Sequence, residues 1–241
     1  MLESNNKPII IGVGGYARSG KDTFVKIGRK ILEQNGYTTS KLAFADELKN
    51  EVQQMLDINH FNLNVKTDDT TEKNKIRPLL VWWGCARRNL GDGKYWVDKI
   101  DEQIKHEAWV HMNDPKHVIF ISDVRFPNEA DWLHENWGGW FVHLKKYSMV
   151  RIPVLKDVPY RKLEVKDDWG IFFDKAPNSE EAENDPLCQS KSDYKLELEN
   201  TIERELRLNN NKITVESLID NTYLNEEIKL CLIKCPFLTL K

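Results

Sequence analysis

The glycine-rich segment from Gly15 to Thr23 carries the side chains best suited to hold a phosphate group. It fits the pattern G-x-x-x-x-G-K. Glycines let successive backbone N–H groups turn toward phosphate oxygens, and the ammonium of Lys21 adds a full positive charge. The candidate ligands are Gly15, Arg18, Ser19, Gly20, Lys21, Asp22 and Thr23. A glycine turn with a solvated lysine is the alternative interpretation.

The residue after the lysine departs from the usual pattern. Ser or Thr, whose hydroxyl binds Mg²⁺, normally stands there, whereas here Asp22 intervenes and Thr23 follows. This spacing disfavours a GTPase or a motor ATPase. It resembles adenylate-kinase-like enzymes, which implies that Thr23 contacts nucleotide phosphates and that Mg²⁺ is held largely through water, with Asp22 a candidate water-mediated ligand. Alternatively, Asp22 stabilises a helix N-terminus through the helix dipole.

A second charged group follows the apolar run 117–122. Asp123 and Arg125 should project at the carboxyl edge of the sheet, where open α/β folds bind ligands. The carboxylate can organise Mg²⁺ or a sugar hydroxyl, and the guanidinium can clamp a phosphate through two hydrogen bonds. The alternative is an Asp–Arg ion pair that caps the following helix.

Hydrophobic periodicity predicts the elements that position these residues. Strands are predicted over 8–13, 38–45, 117–122 and 140–144, with an edge strand over 194–199. Helices are predicted from Lys21, from an N-cap at Asp46, over 76–90 and 93–108, from Pro127 to about 136, and within the last forty residues. Helix-separated strands imply a mostly parallel sheet with right-handed crossovers. The predicted fold class is α/β, with the three-layer architecture of P-loop NTPases.

Length and composition favour one main domain over residues 1–241, of which 40% are hydrophobic and 30% charged. The formal net charge of -3 disfavours nucleic acid as a partner, and no apolar stretch is long enough to span a membrane. The polar first eight residues lack a secretory signal, so a cytoplasmic location is expected. The four cysteines are expected to be free thiols.

The motifs, taken together, resemble the bacteriophage deoxynucleoside monophosphate kinases, P-loop enzymes related to adenylate and guanylate kinases. The likeness covers roughly residues 8 to 145. It rests on Gly15 to Thr23, Leu42 to Asp46 through Lys49, Arg77 followed by Leu79-Leu80 and Trp83-Gly84, Tyr95-Trp96-Val97, and Asp123 to Glu129. It implies ATP and Mg²⁺ as cofactors, a deoxynucleoside monophosphate as second substrate, and, for a phage-encoded enzyme, the host cytoplasm as location.

The resemblance also assigns roles by position. Lys49 and Arg77 would bind the acceptor phosphate, and Trp96 would form a wall of the base or sugar pocket; as ordinary alternatives, the two cations are solvated and the tryptophan is core. The acceptor-side set implied in this way is Lys49, Arg77, Gly84, Trp96, Asp123, Arg125 and Glu129. Residues 46–116 would be a helical acceptor-binding region, and 146–192, which lack a sustained period, a mobile lid or insertion.

Phosphoryl transfer between two anions mainly requires neutralised charge and in-line placement. Lys21, the loop amides and Mg²⁺ would hold ATP, while Arg125 and one of Arg77, Arg87 or Arg88 would cover the moving phosphoryl group. The catalytic candidates are Lys21, Asp123, Arg125 and Arg88.

Two other functions stay open: a P-loop kinase of another small acceptor, of the dephospho-coenzyme A or phosphomevalonate type, and a non-catalytic ATP-binding switch. Family members usually carry Gln where this chain has Val81, so the resemblance does not set the base preference. The choice of sugar, the role of residues 201–241 and whether the chain forms a homodimer are also left open by the sequence.

Overall fold

The structure is a computed structural model that describes residues 7–67, 69–151, 164–166, 169–176, 178–200, 204 and 222–240. The strands are β1 Ile9–Gly14, β2 Thr38–Leu42, β3 His117–Val124, β4 Trp140–Arg151, β5 Glu164–Lys166, β6 Trp169–Phe173 and β7 Tyr194–Glu199. The helices are α1 Lys21–Gln34, α2 Phe44–Ile58, α3 Thr70–Leu90, α4 Tyr95–Val110, α5 Pro127–Trp137, α6 Ser179–Lys191 and α7 Thr222–Ile233. None of these helices is long and apolar enough to cross a bilayer.

The centre of the fold is a parallel sheet in the order β2-β3-β1-β4-β7. Every residue of β3 is buried, as expected of a central parallel strand with both faces covered. Successive residues point to opposite faces, so Val118 and Phe120 enter one hydrophobic cluster while Ile119 and Ile121 enter the other. The predicted α/β class with a mostly parallel central sheet is confirmed.

Helices cover both faces of this sheet and give a three-layer arrangement. On one side, α1 and α7 bury Phe24, Leu32, Ile228 and Leu232 against the strands. On the other, α2, α4 and α5 contribute to a second cluster, with Ile100 of α4 in its centre at 0% exposure. The glycine-rich loop between β1 and α1 therefore sits at the carboxyl edge of a strand that both layers hold in place.

The region beyond the central strands is more regular than the sequence indicates. β4 continues past the predicted end at 144, and its last part pairs antiparallel with β6, which pairs with β5. The described part of 146–192, which also includes α6, therefore has regular structure that the missing period does not indicate, and its role as a mobile lid or insertion stays a prediction. Of its 13 residues, that helix buries only Asp185 and Cys188, so it leaves no hydrophobic stripe to detect. Residues 152–163, 167, 168 and 177 lie outside the described part.

Two helix starts differ from the prediction because their caps lie elsewhere. α2 begins at Phe44, before the predicted cap Asp46, since its first amides are capped by a carboxylate from β3. α3 begins at Thr70 instead of 76, because the Asp69 side chain accepts a hydrogen bond from the N–H of Glu72.

Candidate phosphate-binding site

The loop after β1 has a backbone shape that requires glycine. Gly15 has a φ of 127°, and a Cβ there would lie 2.3 Å from the carbonyl oxygen of Leu144 on the neighbouring strand. Gly20, with a φ of 97°, stands just before α1. Arg18 also has a positive φ, 69°, and is exposed at the tip of the loop. The loop therefore follows the curled path predicted for G-x-x-x-x-G-K.

The ammonium of Lys21 is held inside this loop. Its Nζ donates hydrogen bonds to the carbonyl oxygens of Gly15 and Tyr16, each at 2.7 Å. The residue is 8% exposed. Burial, followed by the nearby positive charge of Arg125, lowers the pKa of Lys21 from 10.5 to about 8. A buried cation beside a second cation stabilises an anion placed between them.

The hydroxyl of Ser19 is buried and has no hydrogen-bond partner among the described residues. The residue is 2% exposed. Leaving a buried polar group unpaired costs roughly 1–3 kcal/mol. A phosphate oxygen bound in the loop would accept from this hydroxyl and remove that cost.

Asp22 and Thr23 lie at the exposed start of α1. The Asp22 carboxylate pairs with Nζ of Lys41 on β2 at 2.8 Å. Being exposed, Asp22 fits a ligand that holds Mg²⁺ through water better than one enclosed around a bare ion.

Asp123 uses both carboxylate oxygens within the fold. They accept hydrogen bonds from the N–H groups of Phe44 at 2.9 Å and Ala45 at 2.8 Å, so the residue caps α2. Asp123 is 8% exposed, and burial raises the pKa of its carboxyl. Each oxygen thus uses one of its acceptor positions within the fold, and the contact of Asp123 with a ligand stays a prediction.

Glu129 caps the next helix in the same way. One carboxylate oxygen accepts from the N–H of Arg125 at 2.8 Å and from that of Phe126 at 3.1 Å, which fixes the turn between β3 and α5. Burial is the main cause that raises the pKa of Glu129 from 4.5 to about 7. Glu129 thus holds the backbone of Arg125 and Phe126, and the contact to the acceptor that the resemblance implied stays a prediction.

Glu181 connects Arg125 to the glycine-rich loop and was missed by the sequence reasoning. Its carboxylate lies 3.7 Å from the Arg125 guanidinium and accepts a hydrogen bond from the N–H of Ala17 at 2.8 Å. Glu181 is in the first turn of α6, where Asn178 caps its N–H at 2.8 Å. The capping pattern Asn-x-x-Glu was the available sequence signal for this helix start.

Arg88 is paired in a similar way with Glu180, the residue before Glu181. Its guanidinium lies over the Phe126 ring at 3.5 Å from the centroid and 3.7 Å from the carboxylate of Glu180. The end of α3, the β3–α5 turn and the start of α6 therefore meet beside the loop. The predicted catalytic cations Arg88 and Arg125 are brought together there, each with a glutamate of α6.

The body of α6 is anchored to the sheet. The Asp185 carboxylate lies within hydrogen-bonding distance of Nε2 of His143 on β4, at 2.8 Å, and both side chains are buried. Cys188, 1% exposed, packs into the cluster on the α5 side. These contacts hold the middle and end of α6 against the sheet, while its first turn contacts the loop through Glu181.

The remaining predicted acceptor residues lie elsewhere on α2, α3 and α4. Lys49 pairs with Asp46 at 3.7 Å within α2. Arg77 is exposed on α3. Trp96 is a core residue, 4% exposed, whose indole N–H donates to the carbonyl of Gly84 at 3.1 Å. Gly84 of α3 faces Leu48 of α2, and a Cβ there would lie 3.4 Å from the Leu48 side chain, an ordinary packing distance.

A cavity of about 730 Å³ runs along α2 beside α3 and α4. Glu51 is the polar centre of its wall: it accepts from the Trp83 indole N–H at 2.9 Å and from the Tyr95 hydroxyl, and pairs with Arg87 at 3.3 Å. The cavity lies within the predicted helical region 46–116. Its lining includes the Arg87 guanidinium, which lies over the Trp83 ring at 4.8 Å from the centroid.

The central parallel sheet has the order β2-β3-β1-β4-β7, and the loop after its first strand carries a buried lysine. This arrangement is that of the P-loop NTPase fold. No protein-family model matches the chain. A protein of Acanthamoeba polyphaga mimivirus, named "Putative deoxynucleotide monophosphate kinase", is 27% identical over 154 residues, 57% of this chain and 74% of that protein. This chain is a distant relative of it.

Among solved structures, the protein APE1195 matches 57% of this chain with 15% identity. The chain spans 60% of that protein, and the TM-score is 0.28. The strand order and the glycine-rich loop, and not this superposition, define the fold.

Proposed function

We propose that this protein is a nucleoside monophosphate kinase, which transfers the γ-phosphoryl group of ATP to a deoxynucleoside 5′-monophosphate. The observation that carries the proposal is that Arg125 lies beside the loop that holds Lys21. Glu181 is 3.7 Å from the Arg125 guanidinium and accepts a hydrogen bond from the N–H of Ala17 in that loop at 2.8 Å. The charge of Arg125 is accordingly the second cause of the lowered pKa of Lys21. Two cations converging on one loop suit a reaction whose transition state spreads negative charge over phosphoryl oxygens.

The donor nucleotide binds at the loop. Lys21 leaves the carbonyls of Gly15 and Tyr16 for the phosphates, and Ser19 donates its unpartnered hydroxyl to a phosphate oxygen. The exposed N-terminal turn of α1 supplies further N–H donors. Asp22 would hold Mg²⁺ through water, and the bound ion supplies neutralisation of phosphate charge.

The acceptor binds on the side of α2 and α3. The printed name of the mimivirus relative supports a deoxynucleotide monophosphate as the acceptor class. Arg88 stands beside Arg125 next to Phe126, and is the cation from α3 best placed to share the transferred phosphoryl group. Lys49 and Arg77 lie on the two helices of this region and are proposed to reach the acceptor phosphate as the region closes.

The first turn of α6 closes the site and excludes water. Glu180 and Glu181 pair with Arg88 and Arg125, each at 3.7 Å. Anionic substrates displace the two carboxylates, so that both arginines turn to the phosphoryl group only when substrates are present. Such gating limits hydrolysis of ATP by water.

The test is release of ADP from Mg²⁺-ATP in the presence of each deoxynucleoside monophosphate, each ribonucleoside monophosphate, dephospho-coenzyme A and phosphomevalonate in parallel. We expect release that depends on at least one deoxynucleoside monophosphate. Lys21→Ala should lower this turnover by at least about 100-fold, while Lys26→Ala, at an exposed position of the same helix, should leave it unchanged.

Each of the other possible results of this assay would indicate a different function. Release dependent only on dephospho-coenzyme A or phosphomevalonate would indicate a kinase of another acceptor. ATP binding without any acceptor-dependent release would indicate a switch protein. Turnover that survives Lys21→Ala would remove the glycine-rich loop from the mechanism.

A further inference from the structure

Two histidines and a glutamate meet at the end of the sheet opposite the glycine-rich loop. Glu107 is in the last turn of α4, His111 follows the end of that helix, and His117 is the first residue of β3. One potential ligand atom from each lies within 4.8 Å of the others. In the sheet, His117 is paired with Thr38 at the start of β2. The cluster thus lies at the amino ends of the strands, whereas the loop follows the carboxyl end of β1.

The His117 ring is held in one orientation by neighbouring hydroxyl groups. Its Nδ1 is 2.8 Å from Oγ1 of Thr38, and this hydroxyl also bonds the carboxylate of Asp114. A carboxylate only accepts, so Thr38 donates to Asp114 and accepts from Nδ1–H of His117. Nε2 then keeps its lone pair. Metal-binding histidines are oriented in this way, by a hydrogen bond from the other ring nitrogen.

The Nε2 lone pair of His117 faces the other two members of the cluster. It lies 3.7 Å from Oε2 of Glu107 and 3.1 Å from the hydroxyl of Ser40, which can rotate its proton away. His117 itself is 2% exposed, so this nitrogen is shielded from bulk water. The His117 side chain is therefore fixed and buried, while Glu107 and His111 come from the end of α4 and the residue after it.

His111 supplies the movable part of the cluster. Its Nε2 is 3.9 Å from Oε2 of Glu107, and its ring stacks on that of His117 with centroids 3.6 Å apart and an angle of 5°. Lone pairs of parallel rings lie in parallel planes, so one ion cannot lie in both. His111 must therefore turn out of the stack to bind. Its side chain is 34% exposed and follows the last residue of α4, which leaves room for that rotation.

The geometry points to a binding site for a divalent transition metal ion, with Glu107, His111 and His117 as protein ligands. Two imidazoles and one carboxylate are a ligand set for Zn²⁺ and its first-row neighbours, whereas Mg²⁺ prefers oxygen alone. The ion would tie the end of α4 to the start of β3, remote from the nucleotide, and would act on stability and not on phosphoryl transfer.

The test is titration of the full-length, chelator-treated protein with Co²⁺, followed by its visible absorption, and with Zn²⁺, followed by thermal melting. We expect one tightly bound equivalent and a higher Tm with Zn²⁺, because an ion that binds only the folded state stabilises it. Glu107→Gln and His111→Ala should each weaken Co²⁺ binding by about 10-fold or more. Both positions are partly exposed, and circular dichroism without metal confirms that the variants fold.

His106→Ala is the matched control, since His106 is an exposed histidine of the same helix that is not in the cluster. It should bind Co²⁺ like the unmodified protein. Binding that is unchanged in both Glu107→Gln and His111→Ala, or lost in His106→Ala, would overturn the proposal. So would the absence of any saturable Co²⁺ or Zn²⁺ binding at micromolar concentrations.

Discussion

Glu181 places its carboxylate between Arg125 and the glycine-rich loop, 3.7 Å from the guanidinium and 2.8 Å from the backbone nitrogen of Ala17. A carboxylate and a phosphate present the same kind of anionic oxygen to these donors. The start of α6 therefore occupies groups that a bound phosphate would use. Binding of ATP then competes with an internal anion.

Glu181→Gln should tighten ATP binding. The amide can still accept from the Ala17 N–H, but it carries no charge to pair with Arg125. Loss of the Arg125–Glu181 ion pair, which is partly exposed, is worth about 0.4–1 kcal/mol. The Kd for ATP should therefore fall about 2- to 5-fold. Calorimetric titration with ATP measures this change.

Glu183→Gln serves as control, because Glu183 is exposed on the same helix and should leave the Kd for ATP unchanged. Weaker ATP binding in Glu181→Gln would contradict the competition and would indicate that the carboxylate assists the nucleotide instead.

The lowered pKa of Lys21, about 8, predicts an alkaline limit to activity. Only the protonated ammonium stabilises phosphate, and kcat/KM reports ionisation of the free enzyme. We therefore expect kcat/KM for ATP to fall above pH 8, approaching a tenfold loss per pH unit. Lys21→Arg keeps its charge at these pH values, so its residual activity should lack this decline. A constant kcat/KM up to pH 10 in the unmodified enzyme would contradict the assignment.

The phosphate loop was predictable because its signal is local. The spacing of Gly15, Gly20 and Lys21 between an apolar strand and a periodic helix requires no knowledge of distant contacts. The fully buried strand β3 was predictable for the same reason, since a continuous apolar run is typical of a central parallel strand. These two segments suffice to predict the class of fold.

The contacts of the site were less predictable because they join distant parts of the chain. Glu181 reaches Ala17 across 164 residues, and no local pattern specifies where the first turn of a polar helix docks. The role of Trp96 depends on its surroundings in a similar way. Its spacing to Ile100 and Ile104 suits a core residue and a pocket wall equally, and the structure places all three in one buried cluster.

Glu129→Gln should change how stability depends on pH. With its pKa raised from 4.5 to about 7, folded Glu129 keeps a proton in this interval that the unfolded chain releases. The free energy of unfolding therefore receives a contribution that is complete below pH 4.5 and decreases as the pH rises to 7, by up to about 3 kcal/mol. Glutamine still accepts from the N–H groups of Arg125 and Phe126 but does not titrate.

Urea denaturation of both proteins at pH 5, 6, 7 and 8 measures this difference. The variant should lose stability less steeply than the unmodified protein between pH 5 and 7. Parallel curves would show that Glu129 titrates at an ordinary pKa in the folded state.

Gly15→Ala should destabilise the fold and abolish nucleotide binding, whereas Gly36→Ala should only destabilise it slightly. Both glycines have positive φ, 127° and 79°, so each substitution strains the backbone. They differ in space: the new Cβ would lie 2.3 Å from the Leu144 carbonyl oxygen at Gly15, and nothing lies within 4 Å at Gly36. We expect a loss of about 1 kcal/mol for Gly36→Ala from backbone strain. Crowding should add about 1–3 kcal/mol for Gly15→Ala.

Urea denaturation and ATP titration compare the two variants, which differ in φ as well as in the space around the new Cβ. Because Leu144 belongs to a buried strand, its carbonyl cannot retreat, and the loop must move away from β4 instead. That movement would carry the carbonyls of Gly15 and Tyr16 away from Lys21 and open the phosphate site. Equal losses of stability in the two variants, with ATP binding retained in Gly15→Ala, would show that the loop tolerates a side chain there and that contact with β4 does not shape the site.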